Sequence, residues 1–102
     1  MEQKVLYTIL KTLNIPIAYD HFDKKVIPPF IAYRETPSDL LKADGKTYFR
    51  TYNYELELIT TKKDMALEQQ IEKLLTDNNI PYDKEEEVWD TQEKIYHNFY
   101  EI

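Results

Sequence analysis

Apolar residues open the chain at helical spacing. Val5, Leu6, Ile9, Leu10 and Leu13 recur on one side, predicting an amphipathic helix over residues 2–13. Leu67, Ile71, Leu74 and Leu75 repeat the pattern and predict a second helix over 64–78. Between them the period changes to two. Tyr48, Tyr52, Tyr54, Leu56 and Leu58 share one parity, while Thr47, Thr51, Asn53, Glu55 and Glu57 take the other. This predicts a long antiparallel strand over 47–59 with one solvated face. Arg50 interrupts the apolar parity, and Phe49 and Ile59 interrupt the polar one. Shorter extended segments are predicted at Ile17-Ala18-Tyr19, at Phe30 to Glu35 after Pro28-Pro29, at 82–90 and at 94–102. The last carries apolar residues on both parities, which predicts cover on both faces.

Both helices end alike. Leu13-Asn14-Ile15-Pro16 and Asn78-Asn79-Ile80-Pro81 each place Asn where a left-handed residue closes a helix and Pro where it cannot continue. The residue after the Asn should fold back on the last turn, Ile15 on Leu10 and Ile80 on Leu75. Thr61 and Asp64, three apart, form a capping-box-like start for the second helix. The stretch 36–46 reads as a loop or wide hairpin connection, with Asp44-Gly45 marking a turn. The predicted order is α-β-β-β-α-β-β. The economical fold is α+β, with two helices on one face of a mainly antiparallel sheet. One domain spans 1–102, and strand 47–59 is expected to be central. Its expected core joins Leu6, Ile9, Leu10, Leu56, Leu67, Ile71 and Leu74.

Composition narrows function more than fold. The chain has no Cys, which removes disulfides, thiolate metal sites and thiol nucleophiles. Net charge is −6, so a phosphate backbone is repelled and sequence-specific nucleic-acid binding is not expected. No apolar run is long enough for a membrane span, and residues 1–4 lead straight into the helical pattern, so a cytosolic origin is expected. Nine Tyr in 102 residues suit strands and subunit contacts alike.

No catalytic pattern emerges. Glu85-Glu86-Glu87 would alternate across a strand, which converges poorly on one ion, so it reads as a solvated charge run. His21 and His97 lack metal-ligand spacing, and His97 reads as a strand residue among aromatics. Glu55 and Glu57 lie on one strand face and are expected to be surface charge rather than an acid–base pair. A single Gly excludes a phosphate loop, and Ser38, the only Ser, reads as a turn or cap. Trp89 is expected near a strand end, partly buried or at a contact. No metal, cofactor or catalytic residue is expected.

Three runs go further together. These are Pro29 to Tyr33, Asp44-Gly45-Lys46-Thr47-Tyr48-Phe49 followed by Tyr54 to Asp64, and Ile80-Pro81-Tyr82-Asp83-Lys84 with Glu93 to Glu101. The pattern resembles small neck proteins of long-tailed phages and prophages of Gram-positive bacteria, and among them most the tail-terminator, or tail-completion, group. The resemblance implies a non-enzymatic hexameric ring in the virion neck. That ring would cap the tail tube, end its polymerisation and join it to the head, with tail-tube and head-connector proteins as partners. An acidic surface would suit a channel that DNA crosses without sticking. Candidate assembly contacts are Leu40, Leu41, Asp44, Lys46 and Trp89. Two other readings stay open: another head-tail connector protein, or a monomeric regulatory domain that binds a peptide or protein along a sheet edge.

Overall fold

The computed structural model describes residues 2–36, 40–43, 47–50 and 53–102, with backbone only for 40–43 and 47–50. The fold is α+β. Helix α1, Gln3–Leu10, runs into a 3-10 turn at Lys11–Leu13. Strands β1 (Ile17–Tyr19) and β2 (Phe30–Thr36) follow, then β3 (Leu40–Ala43), β4 (Thr47–Arg50) and β5 (Asn53–Thr60). Helix α2, Met65–Asp77, leads to β6 (Asp83–Asp90) and β7 (Ile95–Glu101). Five strands form the main sheet in the order β1-β2-β5-β7-β6, and β3-β4 is a separate two-stranded sheet. The short β1 runs parallel to β2, and every other pairing is antiparallel. The elements of the main layer therefore keep the predicted order α-β-β-β-α-β-β.

Alternation decides which face of the sheet is covered. Tyr54, Leu56 and Leu58 on β5 are buried to 1% exposure and meet Leu6, Leu10, Leu67, Ile71 and Leu75 from the helices. Across the sheet Ile31 pairs with Leu58, Tyr33 with Leu56, and Tyr100 with Leu56, extending one apolar face over three strands. Burying a Leu or Ile side chain contributes roughly 1.5–3 kcal/mol, so this face supplies most of the cohesion. In the expected core, Leu75 replaces Leu74 at full burial, and Ile9 and Leu74 are only half-buried. Both Ile15 and Ile80 pack against this core.

The predicted helix ends form. Asn14 and Asn79 take left-handed φ of 59° and 58°. At the end of α2 the Ile80 N–H donates to the Leu75 carbonyl at 2.9 Å, and Asn79 N–H donates to Thr76 at 3.0 Å, the paired bonds of a Schellman close. The start differs from expectation. Asp64, not Thr61, is the cap, its carboxylate accepting from Leu67 N–H at 3.0 Å. Thr61 stands one turn too early to reach the orphan amides of the first turn.

The strand expected over 47–59 corresponds to two elements in different sheets, β4 and β5. The stretch 36–46, read as a loop or wide hairpin connection, contains β3, paired with β4 from Leu40↔Arg50 to Ala43↔Thr47. Tyr52 lies outside the described residues. The central position expected for this strand holds for β5, which is flanked by β2 and β7.

Candidate interaction surface

Three features stand out from this frame. The first is the β3–β4 ribbon. Its strands hydrogen-bond to each other in a sheet of their own, inserted between β2 and β5. By register, Leu40, Lys42, Tyr48 and Arg50 share one face and Leu41, Ala43, Thr47 and Phe49 the other. The two strands hold Lys42 and Arg50 and no carboxylate. An isolated two-stranded hairpin is marginal in water, so a ribbon of this kind gains most from a surface that covers it.

The second is the β6 edge of the main sheet. The strand is exposed along nearly its whole length. It carries Asp83, Glu85, Glu86, Glu87 and Asp90, against one cation, Lys84. Register slips between Lys84↔Tyr100 and Glu87↔Asn98, so Glu85 and Glu86 stand opposite the single residue Phe99. This bulge brings both carboxylates to a shallow acidic cleft with Glu55 and Phe99, on the face away from the helices. Desolvation pushes the Glu85 carboxyl above its ordinary range, and repulsion from Glu101, Glu55, Glu86 and Asp83 adds to it. Farther along the edge Val88 and Trp89 are 41% and 43% exposed.

The third feature anchors that edge to α2. Glu68 is 2% exposed, and Lys84 Nζ donates to it at 2.6 Å while Lys63 Nζ lies 2.9 Å from its other oxygen. Lys63 also reaches Glu87 at 2.8 Å. Burial pushes the Glu68 carboxyl up, but the hydrogen bonds and charges of Lys84 and Lys63 outweigh it and hold the group below its ordinary value. One turn on, Glu72 accepts from Tyr100 Oη at 2.9 Å and from Tyr82 Oη at 3.3 Å. Burial first, then this bond, pushes the Tyr100 phenol far up. Hydrogen-bonded buried charges fix the height of β6 against the helix.

No protein-family model matches the chain, and a search of curated proteins finds no match.

Chemistry elsewhere is sparse. On the open face His97 Nδ1 lies 2.6 Å from Glu57 Oε2, with the His97 ring stacked at 12° to Phe99. The pair borders a groove of about 890 Å³ under the 20–30 segment, beside Phe22, Phe30 and Ile95. His97 is thus packed among aromatics as predicted, with a carboxylate partner that the sequence did not reveal. Glu55 and Glu57 are half-buried rather than free surface charges, because Arg34 lies 3.4 Å from Glu55 and His97 covers Glu57. Among the described residues no group of three or more His, Asp or Glu side chains is placed to hold a metal, and no helix is long and apolar enough to cross a membrane.

The predicted contact residues separate. Leu40 and Leu41 are in β3 of the ribbon. Trp89 is on the β6 edge, its ring 4.5 Å from that of Tyr96. Asp44 and Lys46 lie outside the described residues. Sequence reasoning missed Glu68, Lys63 and Lys84. Glu68 follows Leu67 on the apolar stripe of α2, and an ionisable residue beside that stripe was the only signal available.

Proposed function

We propose that this chain is a structural virion-assembly protein, a ring-forming tail terminator that caps the tail tube and joins it to the head. The observation that carries the reading is the presence of two unlike elements on one copy, a ribbon paired only with itself whose strands hold Lys42 and Arg50, and an exposed acidic strand edge. Unlike surfaces make head-to-tail contacts, and repeated head-to-tail contacts form a ring when the rotation between copies closes. The α+β layer and the strand and turn motifs of the resemblance support the same reading. In it the chain functions as a hexamer in the virion neck, with tail-tube and head-connector proteins on the two sides of the ring. No reaction, cofactor or membrane is part of it.

A second reading has one observation in its favour. The free β6 edge could accept a peptide strand from an unrelated protein, in a monomeric regulatory domain. Native mass spectrometry with negative-stain electron microscopy, with and without purified tail tubes, separates the two. The ring reading expects closed rings, or capped tubes of uniform length. It is abandoned if the protein stays monomeric and leaves tubes uncapped. The Leu40→Ser/Leu41→Ser double variant should stay folded by circular dichroism yet lose capping.

A further inference from the structure

We infer that the β3–β4 ribbon of one copy docks on the acidic β6 edge of a second copy, head to tail. The inference rests on the ring reading and names the contact that would build it. Charge selects the partner. By register Lys42 and Arg50 belong to the same face of the ribbon, and its two strands contain no carboxylate. On the edge, Glu85 and Glu86 stand beside Glu55, Glu101 and Asp83; Arg34 pairs with Glu55 at 3.4 Å and Lys84 with Glu68 and Glu72 on the helix side, so among the described residues neither cation is spent on Glu85 or Glu86. A cationic ribbon laid there neutralises carboxylates that otherwise repel one another.

The same features exclude the simpler alternative of two β6 edges pairing. Charges and bulges on an edge strand oppose like-with-like pairing, and two acidic edges brought together would set Glu against Glu. Val88, 41% exposed and on the cleft face by its register with His97, adds an apolar contact for a ribbon whose strands include Leu, Tyr and Phe. The contact joins different surfaces, so one copy can give its ribbon and receive another at once, which is the requirement for a ring.

The absence of Cys makes the contact directly testable. Two full-length variants, Lys42→Cys and Glu86→Cys, are oxidised separately and as a mixture, and read on a non-reducing gel. The expected result is a cross-linked pair in the mixture, weakened by added salt, with little in either variant alone. A cross-link in Lys42→Cys alone would mean ribbon-on-ribbon contact, one in Glu86→Cys alone edge-on-edge contact, and either overturns the inference. A second arm covers the chance that Cys itself disturbs the site. The Lys42→Glu/Arg50→Glu variant and the Glu85→Lys/Glu86→Lys variant should each lose the assembled mass, and the four changes in one chain should restore it. Assembly unaffected by either reversal overturns the inference. Closed rings seen by microscopy with no 42–86 cross-link sink this contact and leave the ring reading standing. The 42–86 cross-link in a protein that forms only open pairs, and leaves tail tubes uncapped, upholds the contact and sinks the ring reading.

Discussion

Replacing Lys84 by Met tests whether β6 is held to the helices by Glu68. The change keeps the length and most of the apolar stem of the side chain but removes a 2.6 Å charge-assisted bond to Glu68, a 3.4 Å one to Glu72, and a cation 5.8 Å over the Tyr100 ring. A hydrogen bond to a charged group contributes about 1.5–3 kcal/mol. The Lys84 side chain is 43% exposed, so screening by water puts the loss toward the lower end, about 1.5–2 kcal/mol. For a domain of this size that lowers the melting temperature by roughly 6–16 °C. Removing Lys63 as well leaves Glu68 buried without a cation, and the cost should rise to about 3–5 kcal/mol. The pH dependence carries the sharper signature. In the native protein Glu68 sits below its ordinary value of 4.5, so its contribution is fully present above that value and is lost as pH falls below it. Without both lysines only burial acts, the folded-state value moves above the ordinary one, and the slope reverses: the double variant gains stability as pH falls toward 4.5. Thermal melts by circular dichroism between pH 4 and 8 measure this. A Lys84→Met melting point within about 2 °C of the native protein, or a double variant that still loses stability on mild acidification, would refute the reasoning.

Two further outcomes follow from the packing. Ile71→Ala should cost about 2–5 kcal/mol, because Ile71 is 1% exposed at the centre of the helix–sheet contact, and the urea midpoint should fall with the slope unchanged. Asn79→Ala should cost about 1 kcal/mol, and Asn79→Gly should be near neutral by chemical denaturation, because the left-handed φ of 58° that closes α2 penalises a Cβ without a polar side chain.

The helices and the β2–β5–β7 core were legible because one apolar stripe or one parity carries each of them. Leu67, Ile71 and Leu75 on α2, and Tyr54, Leu56 and Leu58 on β5, are read by period alone. The separate ribbon was less visible. Tyr48 and Tyr52 continue the parity of Tyr54, so β4 looked like the start of β5, and the break in pattern at Arg50 was the one sign that two elements met there. Leu40 to Ala43 is too short a run to declare its period. The Glu68 cluster left one sign, an ionisable residue beside the α2 stripe, because its two lysines come from five residues before and sixteen after, and only the folded sheet brings them together. For the candidate surface, the acidic run was visible in the sequence, but the bulge that sets Glu85 and Glu86 on one cleft arises from register with β7.

Thr36, the last residue of β2, is the direct partner of Asn53, the first of β5. The chain therefore leaves the main sheet and returns to it at a single point, as at the stem of a hairpin. The β3–β4 ribbon is inserted at that point, in a sheet of its own. Lengthening such an excursion costs little, about 0.6 kcal/mol for each doubling of its length. Related chains could then carry ribbons of different reach and charge on an unchanged body. A change of neighbour would need no change in the layer that keeps the protein folded.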